Sequence, residues 1–153
     1  MKKILIISLI VLLGMMLTAP SFSQTKKSSE PTGNPIRIGG SLPLTGIYSE
    51  VAKWIKAGYE YWTEDINKRG GLLGRPVRLI FYNDEGSPDK AVTYYERAIT
   101  VDKVDLIFGG YPGGSLVVLM PLAEKYEKVF IGQGGHMKSF EQGLRIVLPV
   151  RLL

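Results

Sequence analysis

VDLIFGGYPGGSLVVLM, residues 104–120, sets two apolar runs on either side of a seven-residue segment that holds four glycines. The first run is short and continuously apolar at its end, as a buried strand is, and the second begins a helical pattern at Ser115. Glycine is favoured where a backbone takes φ > 0 or approaches another group closely. A glycine cluster between a buried strand and a helix start therefore reads in two ways. It is a tight turn, or it is a place where main-chain N–H groups meet a ligand.

Working outward, the same strand-then-helix unit recurs. IRIGGSL is a strand-like run that opens into the turn PLTGIYS. Val51, Ile55, Tyr59, Trp62 and Ile66 then recur at spacings of three or four, with Lys56–Glu60 and Glu64–Lys68 as opposite charges four apart. Trp54 and Trp62 read as packing residues of this helix, and Gly70-Gly71 ends it. PVRLIFY is the second strand. It runs into NDEGSPDK, where Ser87 is placed to cap a helix with Pro88 at its first position and Asp89 in its first turn. Val92, Tyr95 and Ile99 continue that helix at helical spacing, and KVFIG is the fourth strand, with QGGHMKSFEQG as its exit. Pro121 lies within SLVVLMPLAEKYEK, so that helix starts late or kinks.

Alternating apolar strands and amphipathic helices predict an α/β fold: a doubly wound parallel sheet with helices on both faces in right-handed crossovers. Ligands of such sheets bind beyond the carboxyl ends of the strands, where the strand order reverses. SLPLTGIYS, NDEGSP, GGYPGGS and GQGGH are the four loops predicted at that edge.

The chain opens MKKILIISLIVLLGMMLTAPSFSQ, with two lysines, an apolar core of 14 residues from Ile4 to Leu17, and the small residues Ser21 and Ser23 flanking Phe22. This is the pattern of a signal peptide over residues 1–23, its core being shorter than the roughly 20 residues a spanning helix needs. The expected location is periplasmic. Residues 24–35 are polar and aperiodic and read as a flexible leader. Removing residues 1–23 lowers the formal charge from +5 to +3, with no long basic run, which argues against a nucleic-acid partner. There is no cysteine and a single histidine, His136, so neither a disulfide, nor a histidine-based catalytic constellation, nor a metal site at recognisable spacing is expected. No cofactor is expected either. GGYPGGS lacks the lysine of a phosphate-binding loop. Asp84 and Glu85 fit a cation or, more simply, the polar turn before the helix. Tyr48 and Tyr111 fit either the wall of an apolar ligand pocket or plain surface loops.

Four motifs, in this order and spacing, carry a resemblance: LPLTGIYSEVAKWIKAG, EDINKRGGLLGRPVRL, YNDEGSPDKAV and PLAEKYEKVFIG. From about Ile36 to Gly143 the chain resembles the type I periplasmic binding proteins of the leucine/isoleucine/valine class, which serve ATP-driven uptake. The resemblance implies two lobes closing on a small ligand, with the loops after the third and fourth strands holding its carboxylate and amine. Carried over, these are Tyr111, Gly113, Gly114 and Ser115, and Gln133, Gly135 and His136; Ser41, Thr45 and Tyr48 join them from the first loop. Gly113 stands where amino-acid binders often have serine, and Gly135-His136 where they tend to have Ala-Thr. Amides and aromatic acids thus stay open beside aliphatic amino acids. The resemblance also implies a much longer chain, so residues 36–143 are expected to be part of an N-terminal lobe, the second lobe absent and residues 144–153 an atypical tail. The expected partners are a small-molecule ligand and the membrane permease of an ABC transporter. A sensing domain of a membrane receptor or amide-responsive regulator is the alternative, and an enzyme a third reading that lacks catalytic partners.

Overall fold

The computed structural model describes residues 30–133, 141, 143 and 147–150. The signal-peptide segment and the first half of the leader lie outside them. Five strands form one parallel sheet in the order β2-β1-β3-β4-β5: β1 is Ile36–Leu42, β2 Val77–Asn83, β3 Leu106–Gly109, β4 Phe130–Gln133 and β5 Val147–Val150. The helices are α1 (Ser49–Lys68), α2 (Pro88–Thr100) and α3 (Leu116–Lys125), the last entered through a 3₁₀ turn at Gly113–Ser115.

Successive residues of a strand face opposite sides of a sheet, and here each side has its own helices. Ile36, Ile38 and Val77 gather Trp62 and Ile66 of α1 on one side. Ile107 and Phe130 gather Tyr95 and Ile99 of α2 and Leu119 and Met120 of α3 on the other. The chain travels from β1 to β2 in one direction and from β3 to β4 in the other, so crossovers of one hand must lie on opposite faces. Fully buried side chains such as Ile38, Leu42, Ile107 and Phe130 hold the layers together, each contributing about 1.5–3 kcal/mol relative to exposure.

Local signals act where the sequence placed them. Ser87 Oγ accepts from Lys90 N–H at 3.4 Å with Pro88 at the first position of α2. Gly70 and Gly71 take φ of 100° and 78° at the end of α1, where Gly71 N–H reaches Ile66 C=O at 2.8 Å. α3 runs through Pro121, its α-helical part beginning only at Leu116. Asn67 of α1 turns back on β2, its carboxamide donating to Val77 C=O at 2.9 Å and accepting from Val77 N–H at 2.8 Å.

Three expectations are revised. Trp54 does not pack: it is 78% exposed, because the sheet-facing stripe of α1 runs through Ala52, Tyr59, Trp62 and Ile66, and Trp54 shares the outer stripe with Val51 and Tyr61. The end of the leader is tied down rather than loose. Thr32 N–H bonds Gly74 C=O, and the Arg75 guanidinium holds the carbonyls of Asn34 and Pro35. Within the 144–153 tail, Val147–Val150 forms a strand paired with β4, a role its sequence did not announce.

Candidate functional site

The strand order reverses between β1 and β3, and the rule for doubly wound sheets puts the ligand edge at their carboxyl ends. Three loops meet there. The β1 loop enters α1 through Tyr48, whose ring lies edge-on to that of Tyr111 in the β3 loop, centroids 5.9 Å apart. The same Tyr48 ring lies 3.0 Å from where a Cβ on Gly86 would sit, so the β2 loop presses against it at a glycine with φ 78°. Both tyrosines are half-buried.

Beneath the rings lies a polar layer. Asn83 ends β2 and its carboxamide donates to Thr45 Oγ1 at 2.9 Å while accepting from Leu44 N–H at 2.9 Å and Glu85 N–H at 3.1 Å. Ser41 is fully buried and donates its hydroxyl to Asp84 Oδ2 at 2.5 Å; Asp84 Oδ1 accepts from Gly86 N–H at 2.9 Å. Asp84, 3% exposed, has its carboxyl pushed above the usual carboxylate range by loss of solvent, against the lowering effect of the Ser41 and Gly86 donors. Asp84 thus belongs to the turn that starts α2, while Glu85 pairs with Lys90 at 2.8 Å.

The glycines of residues 109–115 divide into two kinds. Gly109 and Gly110 have φ of 118° and 84°, whereas Gly113 and Gly114 lie outside the positive-φ region and a Cβ on Gly114 would meet nothing within 4 Å. The conformational demand falls on the first pair. Ser115 is 5% exposed, and its N–H already bonds Pro112 C=O at 2.9 Å.

Of the residues expected at the site, Thr45, Tyr48, Tyr111, Gly113, Gly114 and Ser115 are brought to this edge on two facing loops. Ser41 lies under the rim with its hydroxyl engaged, so it shapes the loop rather than presenting a group. Gln133 ends β4 at the same edge; Gly135 and His136 lie outside the described residues. Asn83 and Asp84 organise the rim; the sequence reading offers Asp84, with Glu85, as a cation site or part of the polar turn and gives Asn83 no role of its own, although an Asx-type turn after a strand is their visible signal. Grooves of about 620 and 640 Å³ lie elsewhere, along the later turns of α1 towards the amino ends of the strands.

The switch point of this doubly wound sheet thus carries paired aromatic rings, a glycine turn and a helix start. Residues 35–143 match the family model described as periplasmic binding protein, and the chain belongs to that family. A Leu/Ile/Val-binding protein homolog 3 of Brucella melitensis is 35% identical over 94 residues, covering 61% of this chain and 25% of that protein. The branched-chain amino acid transporter substrate-binding protein LivJ of Streptococcus pneumoniae, solved with isoleucine, superposes with a TM-score of 0.69 at 18% identity, covering 74% of this chain and 33% of that one. A solute-binding protein of an ABC transporter from R. palustris, solved with benzoate, gives a TM-score of 0.59 at 24% identity, over 65% of this chain and 27% of its own. The chain spans about a quarter of the length of the curated relatives it matches.

Proposed function

We propose that this chain supplies one ligand-gripping wall of an extracytoplasmic substrate-binding protein for an ABC-type uptake system. Its ligand is a branched-chain or other hydrophobic amino acid or a related small organic acid, and the protein's partner is the membrane permease. The observation that carries the reading is the switch-point edge, where Tyr48 and Tyr111 meet across two loops. Their half-buried rings offer apolar contact to a side chain or an aromatic acid. The N–H groups of Gly113 and Gly114 belong to the 3₁₀ turn through which α3 is entered, where helix N–H groups lack intrahelical partners and the helix dipole favours an anion, so they suit a carboxylate. Binding rather than catalysis is the task such a donor set performs.

A single wall gives weak binding, because small-ligand pockets commonly bury roughly 70–90% of the ligand. The test is a titration of ¹⁵N-labelled residues 24–153 with leucine, isoleucine, valine, phenylalanine and benzoate. Shifts confined to the amides of residues 43–48 and 109–115, at affinities of about millimolar, are expected for at least one of these. Shifts elsewhere, or none at tens of millimolar probe, refute the site. Micromolar binding by a monomer overturns the view that a second wall is needed. Export is checked separately: mass spectrometry of the extracytoplasmic fraction is expected to find a new N-terminus near Gln24, and an intact Met1 on a membrane-bound product would contradict it.

A further inference from the structure

The ladder between β1 and β3 stops early. Its registered pairs are Ile38 with Leu106 and Gly39 with Ile107. Carried two residues further, that register would aim Ser41 N–H at Phe108 C=O. The Tyr95 hydroxyl, reaching in from α2, donates to Phe108 C=O instead, at 2.9 Å. The backbone N–H groups of Ser41 and Gly110 face the same hydroxyl oxygen. A hydroxyl can donate and accept at once, so it can stand in for the missing rung on both sides of the gap. It is 1% exposed, and burial drives its pKa far above the ordinary tyrosine value, which keeps it a neutral donor.

The sequence around the gap is cut to fit this group. A Cβ on Gly40 would lie 3.0 Å from the Tyr95 hydroxyl oxygen and 2.1 Å from Phe108 O, and a Cβ on Gly109 would lie 2.7 Å from the same hydroxyl. Side chains at either position would collide with the tyrosine or with the strand beyond it. Two glycines on neighbouring strands and one tyrosine on the helix beneath form a matched set. They sit directly below the loops that carry Tyr48 and Tyr111.

We propose that Tyr95 is a positioning residue, its hydroxyl a wedge in the sheet that parts β1 from β3 and fixes the separation of the two ligand loops leaving those strands. This rests on the reading of that edge as the ligand site, although the hydroxyl lies below the floor and touches no ligand. The wedge explains why a polar tyrosine occupies a core position: a phenylalanine would fill the same volume and leave Phe108 C=O without its donor.

The test compares wild type, Tyr95→Phe and Tyr94→Phe by NMR in the full chain. Tyr94 is the control, since it stacks on Tyr82 away from the gap, centroids 4.9 Å apart. In Tyr95→Phe the amide exchange rates of Ser41 and Gly110 are expected to change by about tenfold or more, and the Tyr48–Tyr111 ring contact to weaken, while the β1–β2 amides keep wild-type rates. Tyr94→Phe is expected to change none of these. Both exchange rates within twofold of wild type, with the ring contact intact, overturn the proposal. If Tyr95→Phe does not fold, wild type alone decides: a slowly exchanging Tyr95 hydroxyl proton with contacts to the Ser41 and Gly110 amides supports the wedge, and its absence refutes it. Leucine and benzoate titrations form a separate arm. A wild type whose loop amides ignore both probes overturns the functional reading and leaves the wedge result standing. A Tyr95→Phe chain that binds a probe within twofold of wild type, with unaltered loops, overturns the wedge alone.

Discussion

The ring of Tyr48 meets the ring of Tyr111 edge-on, at an interplanar angle of 90°, across the gap where the strand order reverses. The two residues lie in different loops, so their contact couples those loops directly. Edge-to-face pairs contribute about 0.5–1.5 kcal/mol beyond area burial. A double-mutant cycle of Tyr48→Ala and Tyr111→Ala, followed by chemical denaturation, is expected to return a coupling energy near the lower end, because both rings are partly solvated. A coupling of zero would mean that the loops move independently.

Gly110 and Gly114 are expected to respond oppositely to alanine. Gly110 has φ 84° and an added Cβ would lie 2.5 Å from Leu116 Cδ2, so Gly110→Ala is expected to cost about 2 kcal/mol from strain and crowding. Gly114→Ala meets open space and is expected to stay within about 0.5 kcal/mol of wild type. Denaturation midpoints of the two variants check this, and a larger loss at Gly114 would contradict the loop geometry.

Asp84 gives the chain a pH signature. Its folded carboxyl titrates above the usual value near 3.8, chiefly because it is desolvated. The folded state therefore binds a proton more readily than the unfolded chain, and the stability linked to this group is present below the ordinary value and lost as pH rises through the folded one. The stability of wild type minus that of Asp84→Asn is expected to grow as pH is lowered from neutral to about 4. A difference that shrinks over this range would show that the Ser41 and Gly86 donors outweigh burial.

The two tryptophans separate an exposed ring from a packed one. Trp54→Ala is expected to change stability by no more than about 0.5 kcal/mol, whereas Trp62→Ala, which removes a ring set against Phe108, is expected to cost about 2–3 kcal/mol, less than a fully buried aromatic. Iodide quenching of the single-tryptophan variants provides an independent check: strong for Trp54, weak for Trp62.

The layer order was legible because its signals are local. Apolar strands, the Ser87-Pro88 cap and the glycines after α1 each declare themselves within a few residues. What escaped was long-range. Trp54 and Trp62 are equally apolar and only the direction of the sheet separates them, so periodicity alone assigned both to the core. Tyr95 reads as one more helix-face aromatic until Gly40 and Gly109, 55 and 14 residues away in sequence, are seen to leave room for its hydroxyl. Ser41 reads as a ligand group because it stands in a loop-edge motif, but its partner is Asp84, in the turn that follows the neighbouring strand. The division of the glycine turn into a strained pair and an unstrained pair likewise depends on Leu116 and Phe130 behind it.

The carboxamide of Asn67 bears on whether another strand can pair with β2. Among the described residues β2 is an edge strand, and edge strands offer unpaired N–H and C=O groups to any other strand that comes near. Asn67 presents an amide with the donor and acceptor of a peptide group and engages both groups of Val77. The first rung on that side is thereby occupied by the molecule's own side chain. An incoming strand in that register would have to displace it before sheet-to-sheet growth could begin at the amino end of β2.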